Sequence, residues 1–257
     1  AGWQEKRCNY LGKWWVMALL PPRLTEVPSS LAEYAPAFRA VRQMTEHLAA
    51  PLTAEDQMVQ PMLEASPAKW HLAHTTWCYE TFILMPHKSG YREFHPEFRR
   101  LFNSYYNAVG ERPERATRGL MSRPGLPEVL RYRRYVDEHM LEFLAADSEI
   151  GLKPLVELGL NHEQQHQELI VTDIKYVFWV NPLRPTYREA LNWPQAIAPP
   201  LGWYDYAGGI RTIGNSGNGF AFDNESPQHE VLLRPSQLAS RLVTNAEYLA
   251  FMNDGGY

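Results

Sequence analysis

The sequence predicts an α+β chain in two parts, a bundle of four helices followed by a smaller region of short strands and turns. Three observations predict it. Four segments before residue 181 carry apolar residues at helical spacing. Prolines then gather at Pro182, Pro185, Pro194, Pro199 and Pro200, a stretch hostile to helix. From Leu201 onward, short runs of strand-forming residues alternate with glycine-rich turns. The expected layout is a leader over residues 1–24, a helical domain over 25–182, a proline-rich linker over 183–200 and a second domain over 201–257.

The leader imitates a signal peptide, with basic residues ahead of Trp14-Trp15-Val16-Met17-Ala18-Leu19-Leu20, but Pro21-Pro22-Arg23 stands where a small-residue cleavage site belongs. The first helix spans Leu31 to Leu48, with Leu31, Tyr34, Phe38, Val41, Thr45 and Leu48 on one stripe and Arg39, Arg42 and Glu46 off it. The second starts at Ser66, which can cap it, and Pro67, which fits a first helical turn; Trp70, His74, Trp77, Thr81 and Leu84 then share a face until Pro86. The connection from Pro86 to Gly125 is long, but it holds Tyr91, Phe94, Phe98, Phe102, Tyr105 and Tyr106. Disordered segments are poor in aromatics, so this one is expected to pack on the bundle.

The third helix follows Pro127 and runs to about Ala146, with Val129, Val136, Met140, Phe143 and Leu144 inward and Arg131, Arg133, Arg134 and Glu138 solvated. The fourth covers Lys153 to Val180 and lines up His162, His166, Leu169, Ile170, Asp173 and Val177. In the second domain, strands are expected at Gly208–Ile213, Glu230–Leu233 and Gln237–Leu242, with the glycine-rich residues 214–219 as a hairpin turn. Thr244-Asn245-Ala246-Glu247 is a capping box that opens a helix, with Val243 and Tyr248 placed as its hydrophobic staple. The chain stops just after the turn Asp254-Gly255-Gly256-Tyr257 and reads as cut off within this domain.

Composition narrows the function classes. Lys and Arg number 25 against 29 Asp and Glu, a net charge of −4 that supplies no bulk positive field for nucleic acid or anionic lipid. No apolar run approaches the roughly 20 residues that cross a bilayer. Two cysteines, Cys8 and Cys78, exclude a disulfide-stapled scaffold and suit a reducing cytoplasm. Nucleophile-elbow, phosphate-loop and dinucleotide motifs are absent.

The strongest chemical signal is His162-Glu163-Gln164-Gln165-His166. Two imidazoles at i and i+4 sit one turn apart on one helical face and can converge on a single ion. A third ligand is expected from a helix facing the same core, where His74 lies on the Trp70–Trp77 stripe. His71 competes for that role, but its place directly after Trp70 is expected to turn it to another side of the helix. Three neutral imidazoles on one side of a metal leave positions open for substrate and oxygen or water. The same five residues match the zinc-peptidase signature, in which the Glu is a general base. No third ligand at a peptidase spacing comes before the prolines, which counts against that reading.

Taken together, Ser66 to Trp77, Phe102 to Arg112, Asn161 to Lys175 and Phe220 to Tyr257 resemble the non-haem iron sulfoxide synthases of ergothioneine biosynthesis (the EgtB type). The resemblance covers most of the chain from about residue 30. It implies a DinB-like four-helix bundle followed by a formylglycine-generating-enzyme-like domain related to C-type lectins, with the active site between them. It implies Fe(II) as cofactor, with His74, His162 and His166 as ligands, and so favours His74 over His71. The implied reaction uses O2 to join a cysteine-type thiol, cysteine or γ-glutamylcysteine, to C2 of the imidazole of hercynine (Nα-trimethylhistidine), leaving a sulfoxide. Gln165 resembles the family glutamine that hydrogen-bonds the substrate imidazole. Tyr105 and Tyr106 resemble loop tyrosines near the iron in one branch, where a hydroxyl could deliver a proton. The missing continuation of the second domain supplies part of the substrate pocket in the family. The other readings are a DinB-type zinc-dependent thiol transferase, a selenium-handling relative that makes the selenium analogue, and a metal-stabilised binding module without turnover.

Overall fold

The computed structural model describes residues 28–104, 110, 113–147, 150–189, 197–217 and 219–256. The chain divides into two compact units, Ala1–Glu189 and Ala190–Tyr257.

The first unit is helical. A 3-10 turn at Ala32–Tyr34 leads into α1, Ala35–Ala49, which carries a proline in its first turn. Helix α2, Ala68–Tyr79, continues through a π-helical turn at Glu80–Leu84 and a last short turn at Met85–His87. Helices α3, Leu126–Ala146, and α4, Lys153–Val180, complete the set. Contacts join α1 to α4 and α2 to both α3 and α4. Tyr34, Phe38, Leu72, Trp77, Tyr132, Met140 and Val156 lie in one core, which also takes in Phe98 and Phe102 from the long connection. Lys69 fastens the end of that connection, its ammonium donating to the carbonyls of Met121, Ser122 and Pro124 at 2.8–3.2 Å. Gly159 in mid-α4 is a packing residue, since a Cβ there would meet the Tyr79 ring at 2.6 Å. A glycine inside a helix costs about 1 kcal/mol against alanine, and here the loss admits an aromatic ring from α2.

Four local readings need correction. Ser66 does not cap α2: Pro67 is the residue at the helix start, and the Ser66 hydroxyl instead accepts from Arg118 at 2.9 Å. Leu169 is exposed, and Ile174, Val156 and Leu160 fill the inward face of α4. Arg133 is buried rather than solvated, and Arg42, though off the apolar stripe of α1, is buried as well. What turns them inward is Glu163, wholly buried on α4, which takes Arg42 Nη1 at 3.0 Å on one oxygen and Arg133 Nη2 at 3.1 Å on the other. Arg42 also reaches Asp137 at 2.6 Å and Thr76 at 2.8 Å, and Arg133 reaches the Leu72 carbonyl at 2.9 Å. All four helices therefore meet in one charged network inside an apolar core. A buried charge is tolerated only when it is paired and hydrogen-bonded in this way.

The second unit contains two antiparallel ladders. Strand β1, Trp203–Tyr206, pairs with β4, Ser236–Ala239, and β2, Gly209–Ile213, pairs with β3, His229–Leu233. The glycine-rich stretch is not a tight hairpin turn. It belongs to a longer β2–β3 connection, residues 214–228, which includes a 3-10 turn at Asp223–Glu225 and an Asn215 N–H to Glu225 carbonyl bond of 2.8 Å. Helix α5, Asn245–Asn253, opens with the complete Thr244/Glu247 capping box. Among the described residues no helix is long and apolar enough to cross a membrane.

Candidate metal centre

Helix α2 presents His74 between two indoles. Trp70, four residues earlier, stacks on its ring at 4.5 Å and 12°, and Trp77, three residues later, at 5.3 Å and 17°. The spacing of the three puts them on one face, so the imidazole plane is set by aromatic packing. Its Nδ1 lies 2.6 Å from the Phe102 carbonyl, an acceptor only. The Nδ1 must carry the proton, which leaves Nε2 with a free lone pair.

Helix α4 brings His162 and His166 to the same place. Their ring centroids are 4.6 Å apart, and they lie 5.1 and 4.8 Å from that of His74. One ring nitrogen from each of the three falls within 4.8 Å of the other two, a grouping that small side-chain shifts would close onto a single cation. His74 and His166 are buried and His162 is half-buried. His162 Nδ1 is itself a buried nitrogen with no hydrogen-bond partner. Unpartnered buried polar atoms are rare, and a donor set containing one fits a cation better than an apolar contact.

The electrostatics agree with that fit. Burial pushes His74 and His166 well below the ordinary histidine range, and neighbouring imidazoles push the same way. Burial also lowers His162 against the opposing pull of Glu163, and lowers His71 against that of Asp173. Neutral imidazoles with lone pairs available are what a metal requires. Arg118 adds a fixed positive charge nearby, its guanidinium 3.4 Å over the Trp70 ring and bonded to the hydroxyls of Ser66 and Ser104.

His71 does not turn to another side of the helix, as its position after Trp70 suggested. Its Nδ1 lies 2.8 Å from His166 Nδ1, and its Nε2 lies 3.1 Å from Asp173 Oδ2. The overlooked signal is its i, i+3 relation to His74, which leaves two side chains only about 60° apart around a helix. Asp173 stands on the expected face of α4, but nothing in the sequence marked it as the partner of a histidine.

Glu163 faces away from the imidazoles. Burial alone would push its carboxyl up, yet Arg42, Arg133 and the Thr45 hydroxyl hold it at about 2. A carboxylate locked between two guanidiniums is in no position to take a proton from a metal-bound water, so the zinc-peptidase assignment of this motif does not hold. Gln165 is exposed on α4. Tyr105 and Tyr106 lie outside the described residues, although the preceding Asn103 and Ser104 are buried.

A protein-family model described as the DinB superfamily matches residues 37–170, from α1 into α4, a span that includes all four clustered histidines. No curated protein matches the chain.

Proposed function

We propose that this chain, which belongs to the DinB superfamily, is a metal-dependent enzyme whose ion is held by His74, His162 and His166. The observation that carries the reading is the convergence of three neutral imidazole nitrogens within 4.8 Å on two packed helices. Such a set adds no negative charge to a divalent cation and leaves coordination positions open on one side.

The reaction that fits best is O2-dependent joining of a cysteine-type thiol to C2 of the hercynine imidazole, with oxidation of the sulfur to a sulfoxide. Fe(II), when bound, supplies the redox chemistry for that step. The protein's share is positioning. His74 is clamped between Trp70 and Trp77, the indoles shield its ring from water, and Gln165 would donate or accept a hydrogen bond at the substrate imidazole. Tyr105 or Tyr106 would give its hydroxyl proton to oxygen as it is reduced. The second unit, with its short ladders and capped helix, is read as part of a formylglycine-generating-enzyme-like domain, and a cytoplasmic setting suits the free Cys78.

A second reading has an observation of its own. The family match covers residues 37–170, within the helical unit, and the reading as a DinB-type zinc-dependent thiol transferase draws on that unit alone. The two readings separate on one experiment. The protein is loaded anaerobically with Fe(II) or Zn(II) and given hercynine with cysteine, γ-glutamylcysteine or a selenium donor, while O2 uptake and products are followed. Uptake that needs Fe(II) and both substrates and yields a sulfoxide supports the synthase. Thiol transfer with zinc and no O2 uptake supports the transferase.

A further inference from the structure

A chain of hydrogen bonds leads from the protein surface to one of the three clustered imidazoles. Asp173 Oδ2 sits 3.1 Å from His71 Nε2 and also accepts the Ser66 backbone N–H at 3.0 Å. His71 Nδ1 in turn sits 2.8 Å from His166 Nδ1. His71 is buried to 2% exposure and His166 to 8%, so water does not compete for these contacts.

The donor and acceptor count leaves one consistent arrangement for neutral rings. A carboxylate only accepts, so the proton between Asp173 and His71 belongs to His71 Nε2. A neutral His71 then presents a bare Nδ1, which must receive a proton rather than give one. His166 therefore donates from Nδ1, and its Nε2 is left bare. His74 reaches the same state by a different partner, the Phe102 carbonyl.

We infer that Asp173 and His71 are positioning residues that fix the tautomer and ring plane of His166, so that His166 offers Nε2 to the ion. This rests on the reading of His74, His162 and His166 as the metal site. It gives the buried His71 a role other than that of a fourth ligand, and it gives Asp173 a role through two intervening hydrogen bonds. A partner on the non-ligating nitrogen of a metal-bound histidine raises its basicity and holds its orientation, and loss of such a partner lowers metal affinity by about 10- to 100-fold.

The tautomers can be read before any metal is added. Long-range 1H–15N correlation spectra of the histidine-labelled, metal-free protein at pH 8 are expected to show His71 protonated on Nε2 and His166 on Nδ1. The reverse assignment for either ring overturns the inference. Co(II) affinity and absorption are then compared among the wild type, His71→Phe, His71→Gln and Asp173→Asn. A glutamine at 71 can accept from His166 and donate to Asp173, so it should retain affinity within about threefold and keep the wild-type spectrum. His71→Phe should lose about 10- to 100-fold, and Asp173→Asn should fall between the two. Equal affinity in all four proteins overturns the positioning role. Equal and complete loss in His71→Phe and His71→Gln, with both folded by circular dichroism, would make His71 a ligand instead. Failure of the wild type to bind Co(II), Fe(II) or Zn(II) at all would sink the metal reading itself, whatever the tautomers show.

Discussion

The two units of this chain obey the same local rules and differ in what they bury. In the helical unit Leu72, Trp77, Tyr132 and Val136 are at most 1% exposed, and even two arginines are drawn inside. In the second unit Trp203, Leu232, Leu242 and Phe251 are 49–88% exposed, and among its described residues only Gly208 is buried. Yet its ladders are in register and its capping box is complete. Hydrogen bonding and capping shape an element, whereas burial of apolar surface supplies most of the free energy that holds elements together. Two-stranded ladders without a covered face are marginal in water. The histidine cluster stands in the unit that has the core, where packing can hold rings to a fraction of an ångström.

The largest predicted effect comes from breaking the charged network of the helical unit. Glu163→Ala removes the buried anion that Arg42 and Arg133 share, leaving only Asp137 beside Arg42 and Glu46 beside Arg133, and should cost about 3–5 kcal/mol in chemical denaturation. Glu163→Gln should also destabilise the unit while leaving metal stoichiometry unchanged in the folded fraction, because the carboxylate faces the arginines. Loss of the metal with a normal fold would revive a direct role for this residue. The same group predicts an acid dependence. With its carboxyl held at about 2 against an ordinary 4.5, Glu163 contributes stability that is fully present above pH 4.5 and is lost as pH falls toward 2. Denaturant melts of the wild type and Glu163→Gln should therefore converge over that window. Parallel curves would show that Glu163 is not the group responsible.

A matched pair of truncations sharpens the contrast between the units. Leu72→Ala should destabilise the helical unit by about 2–5 kcal/mol, since it opens a cavity in a packed core. Leu232→Ala, at a site 75% exposed, should change stability by less than about 0.5 kcal/mol. Comparable losses at both sites would mean that Leu232 is covered in solution. The smallest effect on the helical unit is expected from the α5 cap, where Thr244→Ala should cost about 1 kcal/mol of local helix stability without moving the melt of that unit.

Much of the fold was legible in the sequence, and the exceptions have physical causes. Helix α4 has its predicted bounds because Pro154 opens it and Pro182 stands just past its last turn, and α3 starts within one residue of its proline. The i, i+4 pair His162 and His166 was visible because both rings lie on one helix. His74 was visible as one of two candidates on α2. Arg133 was misread as solvated, and the burial of Arg42 went unseen, because hydropathy patterning scores each helix alone and cannot see that Glu163 waits across the core. His71 and Asp173 were missed for a related reason: their pairing joins α2 to α4, and no spacing within either helix encodes it.

The most direct test of the central claim is metal content after Fe(II) or Co(II) loading and desalting, in the wild type and in His162→Ala and His166→Ala, with folding checked by circular dichroism. The account predicts one ion per chain in the wild type and none in either folded variant. Stoichiometric metal retained in both variants would contradict it.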